Sequence, residues 1–441
     1  MSEWKALTLG HLSTQRKGIN YKSEDYGDKH SGHPFITIKC FVKGGGYEPT
    51  GIKFYDGFST KADHLSPGDL LFSVTDLTRA GDIVGSPLRV PDFGSTKPAL
   101  ASMDCMRIEP IANRCNKRFL YHRLMLSDVR RQMVAYAAGS TVLHLDTKKV
   151  PSITVRIPVD VNLQSRIADV LDGIDTAIEK TEALIAKYQQ IKAGLMHDLF
   201  TRGVLPNGQL RPPREQAPEL YQETAIGWIP REWSESDCSI EFAIESGITL
   251  GQHRRPSKRP RAYLRVANVH RDELRLEDLA YLEVLPNESV PTLQEFDLLI
   301  VEGHANRAEI GRCAMVTAEA AGLLFQNHLF RLRPHRLNHF YALDWLNSHY
   351  AMCHWETMCS TSSGLNTINR RMLGRMFVGV PSPDEQVLIA QKALGAKKRL
   401  GLELQKLHKL RSQKRGLMHD LLTGKVLVNI ENKTTTTEAL E

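Results

Sequence analysis

Apolar residues recur in alternating steps of four and three along two long stretches of the chain. In the first, Ile167, Leu171, Ile174, Ile178, Thr181, Ile185, Tyr188, Lys192, Leu195 and Leu199 share one helical face, a heptad seam interrupted only at Thr181 and Lys192. In the second, Ile389, Ala393, Ala396, Leu400, Glu403, Leu407, Leu410, Lys414, Leu417 and Leu421 repeat the spacing, with polar members at the equivalent places. These stripes predict two spacer helices, over residues 157–200 and 380–422. A helix of about forty residues spans on the order of 60 Å at ~1.5 Å per residue. An apolar stripe of that length must bury against something, and the simplest partner for each helix is the other. Parallel packing would force the intervening chain back along the whole pair, so an antiparallel coiled coil is predicted. Lys192 and Lys414 read as seam lysines that bury their stems and keep the ammonium in water.

The two helices are copies. Gly194–Leu199 and Gly416–Leu421 both read Gly-Leu-Met-His-Asp-Leu. Pro158 matches Pro381 at a shift of 223, and Gln164 matches Gln386 at 222, a register that holds to the end of both motifs. Before each helix lies an irregular, turn-rich block. Block one covers residues 1–156 and block two residues 226–379. They share a weak order of features. Trp4 corresponds to Trp233, Asp69-Leu70-Leu71 to Asp297-Leu298-Leu299, Arg79-Ala80 to Arg307-Ala308, and Lys148-Lys149 to Arg370-Arg371. Short β-branched and aromatic runs, Phe35–Val42, Leu70–Val74, Ile153–Ile157 and Leu298–Val301, predict strands. One helix is predicted late in each block, over Lys117–Tyr136 and Asn338–Met358. The fold class is therefore α+β: two blocks of mostly antiparallel sheet with helices, separated by the helix pair and related as a pseudo-two-fold internal repeat. Residues 201–225, with Pro206, Pro212, Pro213 and Pro218, read as a surface linker. Residues 423–441 read as a tail, disordered at its end.

Bulk properties narrow the function. The chain has 441 residues, a formal charge of +7 and 41% hydrophobic residues. The basic excess suits a phosphate-bearing partner and argues against a DNA mimic, which would be acidic. The 7 cysteines form no C-x-x-C pair, which points to a reducing cytoplasm rather than a disulfide or zinc framework. No apolar run suits a signal peptide or a membrane span. Phosphate-loop, zinc-protease, serine-elbow and dinucleotide motifs are missing, as is the Asn-Pro-Pro-aromatic segment of amino-methyltransferases. His349, Cys353, His354 and Cys359 lie close in sequence but share a predicted helix with Trp345, Tyr350 and Trp355, so they read as packing and surface. No catalytic residue and no metal site is expected.

The chemistry that is present is basic. Gly251–His270 carries Arg254, Arg255, Lys258, Arg259, Arg261 and Arg265 without an acidic residue. Arginine forks suit both phosphate oxygens and the O6/N7 edge of guanine. His304, Asn306, Arg307 and Arg312 follow, Asn being the residue type that pairs bidentately with adenine, and Arg370 and Arg371 precede the second helix. Block one offers Arg16, Lys17, Lys39, Lys43, Lys53, Thr75, Arg79, Lys148 and Lys149. All are DNA-binding candidates by position and type; a solvated basic loop would look the same.

At this point the chain resembles the specificity subunits of type I restriction-modification systems. The resemblance rests on GLMHDLFTRGV (Gly194–Val204) and GLMHDLLTGKV (Gly416–Val426), on the helix lead-ins Ile157-Pro158 and Val380–Gln386, on Ile226–Trp233, and on Leu365–Asn369. It covers Trp4 to about Val428. The first lead-in departs from the pattern: Leu163-Gln164 stands where the second has Glu385-Gln386. The resemblance implies two target recognition domains that each read half of a split double-stranded DNA sequence, with the helices fixing the spacing. It implies two modification subunits that bring S-adenosylmethionine for N6-adenine methylation, and restriction subunits that use ATP and Mg2+. It further implies that this chain binds no cofactor itself and works in a bacterial or archaeal cytoplasm. Two other readings stay open: a coiled-coil scaffold that binds only protein, and a piece of a fused restriction-modification enzyme.

Overall fold

A computed structural model describes residues 3–78, 80–362 and 364–426, apart from the side chains of residues 361 and 362. Arg79 and the greater part of the tail assigned to residues 423–441 lie outside the described residues. The chain divides into two compact units, residues 1–182 with 405–441, and residues 183–404.

In the first unit the main sheet has four antiparallel strands in the order Ser13–Lys17, Cys105–Pro110, Leu70–Ser73, Pro87–Arg89. A second sheet runs Lys53–Tyr55, His33–Ile36, Leu100–Ala101, its last pair parallel. A small third sheet joins Ala137–Ala138, Leu143–Leu145 and Thr75–Asp76. Trp4–Thr8 pairs with Thr154–Pro158 to close the block.

The second unit repeats this order strand for strand. Its main sheet is Phe242–Ser246, Leu329–Pro334, Leu298–Val301, Cys313–Met315. The second is Ala280–Glu283, Pro260–Leu264, Leu324–Phe325, again with one parallel pair. The third is Gly303–His304, Leu365–Thr367, Ser360–Ser362, and Ser234–Asp237 closes on Phe377–Val380. The Asp-Leu-Leu motif opens the same central strand in both. Asp69 accepts the Ser66 backbone N–H (3.0 Å) and pairs with Arg107 (2.9 Å); Asp297 accepts that of Gln294 (2.7 Å) and pairs with Arg333 (2.7 Å). Each aspartate thus fixes the turn before the strand and the neighbouring strand behind it.

Several boundaries differ from the sequence reading. The single late helix predicted in each block is two helices, Lys117–Leu124 with Ser127–Ala135 and His339–Leu346 with His349–Met358. Extended backbone at Leu126 and Ser348 breaks them, and the Ser348 hydroxyl caps the second helix by accepting from Ala351 N–H (3.3 Å). The strand predicted over Phe35–Val42 stops at Ile36 and gives way to a 3-10 turn at Ile38–Cys40. The long helices run Val161–Thr201 and Pro383–Thr423. The predicted starts at 157 and 380 fall in strands instead, because Ile157 pairs with Lys5 and Val380 with Ser234.

Within the first unit, Asp175 and Glu182 of the first long helix meet Lys414 (2.6 Å) and Arg411 (2.6 Å) of the second. Position rises along one helix as it falls along the other, so the pair is antiparallel. Within the second unit, Arg399 Nε donates to the Tyr188 hydroxyl (3.1 Å). No residue at the alternating four-and-three positions of either helix is exposed. Thr181 sits buried in the seam with its hydroxyl donated to the Ala177 carbonyl (2.8 Å), the internal bond that lets a threonine enter a helix interface. The seam lysines do not simply reach water: Lys414 pairs with Asp175, and Lys192 faces Asp272 of block two (3.9 Å).

Each block's core takes in both helices. In the first unit Leu70, Phe72, Phe119 and Leu120 pack with Leu163, Ile167 and Leu171 from the start of one helix and Leu421 and Leu422 from the end of the other. In the second, Leu298, Ile300, Tyr341 and Trp345 pack with Ile389, Ala393, Leu199 and Phe200. The Trp4–Trp233 correspondence belongs to the same arrangement. Each long helix ends at a glycine with positive φ, Gly203 (+64°) and Gly424 (+75°), which supplies the left-handed turn. A Cβ on Gly203 would lie 2.7 Å from the Trp233 ring, and one on Gly424 2.8 Å from Trp4.

The linker is not the surface connection its prolines suggested. Val204, Arg211 and Tyr221 are buried, and Tyr221–Thr224 forms a hairpin with Gly227–Pro230. Arg211 donates to Glu385 (2.5 Å) and Glu232 (2.5 Å), and Glu385 also accepts the Val204 backbone N–H (2.8 Å). This explains the odd first lead-in: Glu385 anchors the linker, whereas its counterpart Leu163 packs in an apolar core.

Candidate nucleic-acid interface

The basic segment of block two is a shaped loop on the edge of the second sheet. Pro260–Tyr263 pairs with Ala280–Glu283, and the Glu283 carboxylate accepts the backbone N–H groups of Ser257 (2.9 Å) and Arg259 (2.8 Å). These bonds hold the Glu283 carboxyl below the usual carboxylate range. Arg254 is not available to a ligand: its side chain is 10% exposed and forked onto Glu288 (2.9 and 2.5 Å). Arg265 is half-buried on Asp278 (2.7 Å), and Arg261 donates to the Gly322 carbonyl (2.8 Å) while its residue stays exposed. The loop therefore uses Arg254 and Arg265 as fixings and presents Arg255, Lys258 and Arg259 to solvent.

The third sheet gathers a second group. Asn366 donates to the carbonyls of His304 (3.3 Å) and Ala305 (3.0 Å), which sets the segment Gly303–Arg307 beside Leu365–Asn369. Asn306 and Arg307 are exposed, though the Asn306 side chain also caps its own turn at Ala308 (3.1 Å). Arg370 and Arg371, both exposed, open the short helix Arg370–Gly374 just beyond. Arg312 does not join them. It is buried, donates to the carbonyls of Val269 (2.6 Å) and Val266 (2.9 Å), and pairs with Glu309 (3.2 Å), so its role is to hold block two together.

In block one the corresponding small sheet carries Thr75 and leads to Lys148 and Lys149. Thr75 is buried and donates to Asp104 (2.8 Å), which removes it as a surface contact. Lys148 is exposed, and Lys149 is exposed over the Tyr136 ring (5.3 Å). Lys17, Lys39 and Lys53 are exposed; Arg16 is exposed but pairs with Asp63 (2.7 Å), and Lys43 with Asp82 (2.7 Å). Arg79 lies outside the described residues.

Sequence similarity and fold similarity point the same way. Residues 1–190 match the family profile of the type I restriction modification DNA specificity domain. The chain is 22% identical over 405 residues to the type I restriction enzyme EcoBI specificity subunit of Escherichia coli, covering 88% of this chain and 78% of that one. It is 22% identical over 192 residues to the MjaVIII specificity subunit of Methanocaldococcus jannaschii, covering 44% and 41%. Over most of its length the chain is similar to the type I restriction-modification specificity subunits. Its fold is similar to that of the solved S subunit from M. genitalium, with a TM-score of 0.58 and 15% identity over 97% of both chains. It is also similar to a chain solved for complex assembly and conformational transition of a type I system, with a TM-score of 0.55 and 14% identity over 96% of this chain and 98% of that one.

The clusters of histidine, cysteine and carboxylate side chains are engaged in contacts within the fold. His349, Cys353, His354 and Cys359 are spread along one helix: Cys353 lies 3.4 Å from His349 at the surface, His354 packs edge-on against Trp355 (4.8 Å), and Cys359 is buried. Among the described residues one set of potential ligand atoms gathers within 4.8 Å, that of His122, Asp172 and Asp175. Its carboxylates already hold cations, Arg89 (2.7 Å) and Arg118 (3.2 Å) on Asp172 and Lys414 (2.6 Å) on Asp175. Burial alone would raise the Asp172 pKa, but the His122 hydrogen bond and the Arg89 guanidinium outweigh it and hold the carboxyl at about 2.

Sequence reasoning passed over several exposed apolar side chains. Phe58 is 85% exposed, held on a turn where the Tyr55 hydroxyl donates to its carbonyl (3.1 Å). Tyr281 is exposed on the strand paired with Pro260–Leu264, and Leu77 directly follows the short strand Thr75–Asp76. The signal was an Asp56-Gly57 turn ahead of an aromatic residue, which composition alone does not single out.

Proposed function

We propose that this specificity subunit reads a bipartite target in double-stranded DNA, one half per block, with the paired helices setting the unread spacing. The observation that carries the reading is the repetition of one sheet order in two blocks whose exposed basic residues differ. In block two Arg255, Lys258, Arg259, Arg307, Arg370 and Arg371 meet the duplex; in block one Lys17, Lys39, Lys53, Lys148 and Lys149 do so. Two modification subunits supply S-adenosylmethionine and methylate adenine at N6 on a base flipped from the stack. Restriction subunits supply ATP- and Mg2+-dependent translocation and cleavage, and the assembly works in the cytoplasm. The exposed faces of the helix-closing motifs, Gly194 with His197 and Gly416 with His419, are where the modification subunits dock.

Fluorescence anisotropy on the complex with the modification subunit tests the DNA part. Affinity for a target duplex falls steeply with added salt, because each phosphate neutralised by a side chain releases counterions. Changing Arg255, Lys258 and Arg259 to Ala weakens binding and lowers the log–log salt slope by about 1 for each phosphate the variant no longer reaches. A flat salt response in the parent complex would contradict the reading.

A further inference from the structure

Beside its apolar core, the junction between each block and the helix that follows it carries a charged cluster, and the two clusters are opposite in sense. In the first unit the block supplies cations, Arg89 reaching Asp172 at 2.7 Å and Arg118 reaching Asp169 at 2.7 Å and Asp172 at 3.2 Å, while the fully buried His122, whose charged form burial disfavours, meets Asp172 at 2.8 Å. The helix supplies Asp169, Asp172 and Asp175. In the second unit the block supplies anions. Asp344, 5% exposed, and Asp272 both face Lys397 of the helix, Asp272 at 3.0 Å. Lys192 adds to the positive side at 3.9 Å from Asp272.

The repeat register shows that these are the same places. At the shift of 222 that aligns the helices and Asn116 with Asn338, His122 corresponds to Asp344, Asp175 to Lys397, Asp172 to Leu394 and Arg118 to Phe340. A histidine facing carboxylates in one copy is an aspartate facing a lysine in the other. Beside this reversal one anchoring contact is kept in both copies. Gln164 accepts the Asn116 backbone N–H at 2.7 Å and Gln386 that of Asn338 at 2.7 Å.

We infer that charge sign keys each recognition block to its own long helix, so that the two blocks cannot trade places along the chain. A block-one copy in front of the second helix would set His122, Arg89 and Arg118 against Lys397 and Leu394. A buried charge without its counter-charge is strongly destabilising, whereas either matched pair is tolerated.

The test is a chain in which residues 4–156 also replace residues 233–379, made with the second helix unchanged or carrying Gln391→Asp, Leu394→Asp and Lys397→Asp. Each is co-expressed with the modification subunit and melted by calorimetry. The chain with the unchanged helix should melt about 5 °C or more below the one with the substituted helix. Equal melting, or the reverse order, overturns the inference. A second comparison in the natural chain needs no transplant: Asp172→Lys against Asp172→Leu, the residue block two's helix has there. The lysine variant should melt about 5 °C or more below the leucine variant, or lose soluble protein that the leucine variant keeps; equal behaviour overturns the inference. Neither readout involves DNA, so either can fail while DNA reading stands.

Discussion

Gln164 and Gln386 show how a single retained side chain carries an architecture. Each accepts the backbone N–H of the asparagine that caps a helix in its block and donates to the carbonyl of the proline that precedes the long helix, Pro158 at 2.8 Å and Pro381 at 3.0 Å. Either glutamine changed to alanine strands buried backbone groups and costs about 1–3 kcal/mol, read as a lower melting temperature with an unchanged circular-dichroism spectrum. The Asp172 carboxyl adds a pH dependence. Its pKa of about 2 in the fold lies below the ordinary carboxylate value of 3.8, so its contribution is present above about pH 4 and is lost as pH falls through 2. The Asp172→Asn variant therefore shows a shallower loss of melting temperature between pH 4 and 2 than the parent. The residue scale is also where sequence reading was weakest. Arg254 and Arg312 counted as DNA ligands because charge and position recommend them. Glu288, which disarms Arg254, lies far along the chain, and the Arg312 partners are mostly backbone carbonyls, so no local pattern marks either as internal.

The long helices were legible because their evidence is periodic and occurs twice. Their seams, their polar interruptions and their antiparallel sense all follow from spacing plus the need to bury a stripe. Their starts were not legible, since Ile157-Pro158 and Val380-Pro381 continue an apolar run that the chain spends on a strand. The linker misled for a related reason. Its prolines do mark irregular backbone, but Arg211 ties that backbone to Glu385 in the interior. Arg211→Met should lower stability by about 3–5 kcal/mol by leaving Glu385 buried without its cation, and adding Glu385→Gln should restore part of it; melting curves of both variants check this. For the helices as a ruler, four residues inserted into each add about 6 Å. The distance between modified adenines should then grow while both half-sites stay the same. Sequencing of modified bases measures it, and an unchanged spacing would remove the ruler.

At the scale of the molecule, duplication explains more than either copy does. The sheet orders repeat strand for strand, yet sequence shows only scattered matches between blocks, because a sheet needs alternation and a turn signal rather than particular residues. What stays recognisable is what two copies must share: the Asp69 and Asp297 turns, the tryptophans against Gly424 and Gly203, and the Gly-Leu-Met-His-Asp-Leu ends that complete the cores. What diverges, beyond the charge-reversed junctions, is the exposed loops, the pattern that the proposed reading of two different half-sites calls for. The most direct measurement maps methylated adenines in cells that carry the modification subunit with either this chain or a variant whose residues 1–156 come from another specificity subunit, in the same first position. The two-reader account predicts a split motif in which one half changes and the other half and the spacer persist. A motif that changes in both halves, or one that is continuous, would contradict it.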